Sequence, residues 1–137
     1  MRRLTQCAAA VLSGLALSIV AATSMASAAS PASVTITSSA CGGTLFCYKP
    51  PTLTVTNGGS VEWMNSTAVQ HTVTRCTPSA CSGMGPGTGT DSTFTSAAIA
   101  AHGTFTHTFH GTGTYNYYCA IHGYAVMHGS VTVKAPK

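Results

Sequence analysis

Beyond residue 30 the chain alternates hydrophobic and polar positions in short runs, and no apolar run keeps a helical period. Val34 and Ile36 share one face of 33–37, and Leu53 and Val55 one face of 52–56. Asn57-Gly58-Gly59 then turns the chain. Val61 and Trp63 point inward from 60–64, with Met64 outward or over an edge. Residues 71–74 read as the next strand, and a loop rich in Gly, Ser and Thr follows from Cys76 to about Ser92. The run 98–101 is ambiguous and admits a short helical turn. Phe105, His107 and Phe109 line one face of 104–109, and strands at 115–118 and 131–133 complete the set. About seven or eight regularly spaced short strands predict a single all-β sandwich domain.

The first 28 residues read differently. Arg2 and Arg3, an apolar run over 8–20 and Ala26-Ser27-Ala28 predict a cleaved secretory signal peptide, through either the general or the twin-arginine route. The run is too short and too rich in Ala and Ser to span a membrane well. Residues 29–137 are then the folded domain, with no transmembrane segment, in a periplasmic or secreted compartment. Cys7 leaves with the signal. The domain keeps Lys49, Arg75, Lys134 and Lys137 against Glu62 and Asp91. So sparse a charge set argues against nucleic acid, which needs a basic patch, and against a polybasic membrane site.

Five cysteines remain, and an exported chain favours disulfides, so an odd count leaves one thiol over. Cys41–Cys47 and Cys76–Cys81 are the expected pairs, each bracketing a short Gly- or Pro-bearing turn, with a crossed pairing still open. Cys119 is the odd thiol. It stands in a C-x2-H-x4-M run with His122 and Met127. Thiolate and thioether sulfur favour a soft or borderline metal, and imidazole suits copper in both oxidation states. A His2Cys plane with a weak axial Met needs a second imidazole, and His71, after a strand and a polar turn, fits. Zinc takes the same nitrogen and thiolate donors, although a thioether is unusual for it.

At these residues the sequence resembles the small cupredoxins, the plastocyanin-, halocyanin- and pseudoazurin-like blue copper proteins. The resemblance runs from about Ser33 to Val133. It rests on Y-x-Y-Y-C-x-x-H-x4-M-x-G-x-V from Tyr115, on Val61-x-Trp63-x-Asn65 followed by His71-Thr72-Val73-Thr74, and on Gly113-Thr114-Tyr115. It implies a Greek-key β-sandwich holding one type 1 copper ion on His71, Cys119, His122 and Met127. It also implies that the Thr72 backbone N–H donates to the Cys119 sulfur and that Asn65 braces the ligand loops. The segment from Cys41 to Cys47 looks inserted relative to the family, and the loop from Cys76 to Cys81 elaborated.

The function so implied is one-electron transfer between redox partner proteins by a monomeric carrier, with partners docking over His122 beside Ile121, Tyr124, Ala125 and Val126. The alternative is a copper-binding protein for metal delivery or storage, using the same donors. No catalytic constellation is visible, and a Cys119–His122 hydrolase pair would leave Met127 unexplained. His102, His107, His110 and His128 read as surface or edge histidines and Trp63 as core; Tyr115, Tyr117 and Tyr118 admit an electron relay, but at least two of them read as strand packing.

Overall fold

The computed structural model describes residues 29–137; the signal peptide expected over 1–28 lies outside them. Eight strands form: β1 (Ala32–Thr37), β2 (Cys47–Lys49), β3 (Thr52–Thr56), β4 (Ser60–Asn65), β5 (Thr74–Arg75), β6 (Thr104–Thr108), β7 (Gly113–Tyr118) and β8 (His128–Lys134). They make two four-stranded sheets, β2-β1-β4-β6 and β3-β8-β7-β5. β1 pairs parallel with β4, and β3 with β8; the remaining neighbours are antiparallel. The chain thus crosses between sheets as a Greek-key sandwich.

Period-two alternation decides what lies between the sheets. Val34, Ile36, Val61 and Trp63 enter from one sheet and Tyr115, Tyr117, Val131 and Val133 from the other, all buried. Trp63 is central: its ring lies 5.5 Å from Phe105, 5.6 Å from Phe94 and 5.6 Å from Tyr117 between centroids. Met64 is exposed, as alternation requires. Among the described residues no helix is long and apolar enough to cross a membrane.

Two elements differ from the sequence reading. The strand expected over 71–74 shrinks to Thr74–Arg75, paired with Tyr117 and Tyr118, while His71 makes an isolated bridge to Ile99. The reason lies in where the backbone donors go. Thr72 N–H donates to the Cys119 thiol and Val73 N–H to the Ser96 hydroxyl, so neither is left for a ladder. Conversely β2 forms at the end of the Cys41–Cys47 segment, where the sequence reading placed no strand. Its three residues pair with Thr35–Thr37 of β1, and Tyr48 is buried with its hydroxyl donating to the Thr72 carbonyl. The run 98–101 is not helical; Ile99 exchanges backbone hydrogen bonds with His71 at 2.7 and 3.1 Å.

The disulfides are Cys41–Cys47 and Cys76–Cys81, and Cys119 is the free cysteine among the described residues. The uncrossed pairing places one clasp just ahead of β2 and the other after β5. The glycine of the M-x-G motif has a packing reason. Gly129 faces Tyr117 across β7 and β8, and a Cβ there would meet the Tyr117 ring at 2.7 Å and the Pro51 carbonyl at 2.8 Å.

Candidate metal centre

β7 ends one residue before Cys119, and β8 begins one residue after Met127. The nine residues between are therefore held by a sheet at both ends, with Tyr118 paired to His128. The loop also closes on itself. Cys119 N–H donates to the Met127 carbonyl at 3.0 Å, Gly123 N–H to the Cys119 carbonyl at 2.9 Å, and Met127 N–H to the Gly123 carbonyl at 3.1 Å. Gly123 has φ +84°, a left-handed conformation in which glycine carries no steric penalty. Cys119 and Met127 are both fully buried.

His71 arrives from the other side, after β4. Its Nδ1 lies 3.9 Å from the Cys119 sulfur, and the Nδ1 of His122 lies 3.3 Å from it. One donor atom from each of the three residues falls within 4.8 Å of the other two. Thr72 then ties the two approaches together: its N–H donates to the Cys119 sulfur at 3.4 Å, and its hydroxyl accepts from Ala120 N–H at 2.8 Å.

The neighbours of His71 suit one tautomer. The Asn65 side-chain NH2 donates to the carbonyls of Val69 at 2.8 Å and Ala100 at 2.9 Å, so its Oδ1 faces Thr67 and accepts from the Thr67 N–H at 3.0 Å. The Thr67 hydroxyl has two oxygen acceptors within reach, Asn65 Oδ1 at 2.8 Å and the Val69 carbonyl at 3.2 Å, either of which can take its single proton. The same hydroxyl lies 2.9 Å from His71 Nε2. With its proton on either oxygen it accepts from a protonated Nε2, the tautomer that leaves the Nδ1 lone pair toward Cys119. Burial, reinforced by the facing His122, lowers the His71 pKa to about 4, which keeps the ring neutral.

This donor set fits a copper ion. It offers one unpaired thiol in a chain whose other described cysteines are bridged, two imidazoles converging on it, and a buried thioether in the same loop. The remaining histidines do not join it. His107 pairs with Asp91 at 2.9 Å, and His128 stacks on Tyr124 with its Nδ1 2.8 Å from the Tyr124 carbonyl. His102 and His110 are exposed.

Sequence reasoning missed two participants. Thr67 orients His71. Phe46 lays its ring against both imidazoles, at 4.8 Å from His71 and 4.7 Å from His122. Neither residue belongs to a spacing motif; the polar turn Asn65-Ser66-Thr67 two residues past a strand was the sole available hint for Thr67.

A Greek-key sandwich with a Cys and two His gathered at one end defines the class of blue-copper-type cupredoxins. Residues 32–134 match the copper binding proteins of the plastocyanin/azurin family, and the chain belongs to that family. Its fold is similar to a purple cupredoxin from Nitrosopumilus maritimus, at 26% identity and TM-score 0.58, covering 75% of this chain and 99% of that one. A reduced, Cu(I) form of an amicyanin variant at pH 4 aligns at 25% identity and TM-score 0.55, over 78% of this chain and 85% of that one. Amicyanin from Paracoccus versutus shares the fold at 21% identity and TM-score 0.53, covering 77% and 83%.

Proposed function

We propose that residues 29–137 act, after export, as a monomeric one-electron carrier built on a single type 1 copper site. His71, Cys119 and His122 would supply the strong donors, and Met127 a weak thioether donor. Copper held there would supply a one-electron Cu(II)/Cu(I) couple tuned by the thiolate and the thioether. The observation that carries the proposal is the convergence of the three donor atoms, with the far nitrogen of His71 2.9 Å from the Thr67 hydroxyl. What the chain does is hold these donors still. Cys119 is pinned from both strand ends and from Thr72, and His71 through Asn65, so little rearrangement accompanies a change of charge at the metal. Two disulfides are consistent with an oxidising compartment and hence with the export signal over 1–28.

The surface around the donors suits a transient contact. Leu45, Val69 and Ile121 are exposed, and the three loops 38–47, 66–71 and 119–127 contain no Asp, Glu, Lys or Arg. A neutral apolar rim over His122 gives contact with fast release and without strong electrostatic capture. Val126, which the sequence placed on this rim, is half-buried against the core, and Ile121 is the exposed neighbour of His122.

A carrier and a delivery protein differ in what leaves the site. Voltammetry of the copper-loaded protein, with metal content measured after each cycle in the presence of EDTA, separates them. The carrier assignment predicts a reversible wave at constant copper. Copper passing to EDTA on the timescale of the redox cycles would assign the site to delivery instead.

A further inference from the structure

The loop ahead of β2 has a task that its sequence does not announce. Cys41 and Cys47 are bridged, and Cys47 is the first residue of β2, paired with Thr37 of β1. Within the clasp Thr44 spans the turn: its hydroxyl lies 3.0 Å from both the Cys41 and the Phe46 carbonyls, and its N–H donates to the Cys41 carbonyl. The next residues part company. Leu45 is 76% exposed, whereas Phe46 turns inward and packs on the core. Its ring meets His71 edge-on with centroids 4.8 Å apart and His122 at 4.7 Å, while the two imidazoles lie 4.7 Å from each other. Three rings thus form a closed triangle beside the Cys119 sulfur. Val126, of the ligand loop, lines the same concavity as Ala40, Cys41, Thr44 and Cys47, so the clasp lies beside the ligand loop.

We propose that Phe46 is a positioning residue and lid for the metal centre, held on the two histidine rings by the Cys41–Cys47 disulfide. Its contacts fix the angle between the imidazoles and close the solvent path to the Cys119 sulfur. A phenyl ring suits this task because it offers broad apolar contact and no donor to compete with the site's own ligands. The disulfide matters because a short loop hanging from an edge strand would otherwise open locally at small cost. The consequence for the metal rests on the copper assignment above; the consequence for the thiol does not.

The test compares wild type with Phe46→Ala, Phe46→Leu, the pair Cys41→Ser with Cys47→Ser, and the remote pair Cys76→Ser with Cys81→Ser. In metal-free protein under native conditions the probe is the rate at which iodoacetamide alkylates Cys119. In copper-loaded protein it is the rate of copper loss to EDTA. Phe46→Ala and the Cys41/Cys47 pair should raise both rates about tenfold or more, the scale of opening one local contact. Phe46→Leu, which keeps bulk, should restore most of the wild-type rate, and the remote pair should leave both rates near wild type. If Phe46→Ala leaves Cys119 alkylation unchanged, or the remote pair accelerates it equally, the lid is overturned. If wild type takes up no copper yet Phe46→Ala still exposes Cys119, the lid stands and the copper assignment falls.

Discussion

At the scale of single residues, the hydroxyl of Thr67 lies 2.9 Å from His71 Nε2 and can accept its proton, leaving Nδ1 free toward Cys119. Thr67→Val keeps the shape and removes the acceptor, leaving the Nε2 proton buried and unpaired. The expected result is a fold that unfolds cooperatively as before but binds copper about 10- to 100-fold more weakly, the usual cost of losing a group that orients a ligand. A competition titration with a copper chelator measures it. Asp91 gives a second residue-level test, away from the metal. Burial works to raise its pKa, but the hydroxyl and N–H of Thr93, the His107 ring and the His110 N–H outweigh burial and hold it far below the ordinary carboxylate value. Arg75 adds a bond from its guanidinium to the Asp91 carbonyl at 2.6 Å. A carboxylate whose folded pKa is depressed contributes stability that is complete above its unfolded pKa of about 3.9 and is lost as pH falls below that toward the folded value. The melting temperature should therefore drop as pH falls below about 4. Asp91→Asn should cost about 1–3 kcal/mol at neutral pH and flatten that acid drop. An equally steep drop in the variant would show that other groups carry it.

Elements show where sequence signals were strong and where they were not. The loop that gathers Cys119, His122 and Met127 was legible because their spacing is itself the signal, and Val61 and Trp63 because alternation marks a buried face. β2 was hidden. Three residues are too few for a period, and Pro50-Pro51 directly after them reads as a break, yet the disulfide and the buried Tyr48 hold the strand in place. β5 was overstated for the opposite reason. His71-Thr72-Val73-Thr74 has strand composition, but its donors serve the thiol of Cys119 and the hydroxyl of Ser96, which lie 47 and 23 residues away in sequence. Phe46 was invisible and Thr67 marked only by a polar turn, because neither residue type has metal chemistry and their roles arise from tertiary contact. Local pattern reports which face is buried; it does not report what a backbone N–H will find in another loop.

For the whole molecule, the proposed docking surface lies over the proposed copper site, on loops 38–47, 66–71 and 119–127 that carry no Asp, Glu, Lys or Arg. Ile121→Lys places a charge on the exposed neighbour of His122 and leaves the donors untouched. Electron self-exchange between protein molecules, followed by NMR line broadening in mixtures of oxidised and reduced protein, should slow about tenfold at low salt and recover partly as salt screens the added charge. An unchanged rate would move the port elsewhere, with Tyr118 at the end of β7 the next candidate. The central claim is that Cys119, His71, His122 and Met127 together make a type 1 copper site, and one measurement addresses it: the visible absorption spectrum of the oxidised, copper-loaded protein. An intense thiolate-to-copper band that disappears in Cys119→Ser, with the far-UV circular dichroism unchanged, is the predicted result. A colourless wild-type protein at full copper occupancy would contradict the assignment.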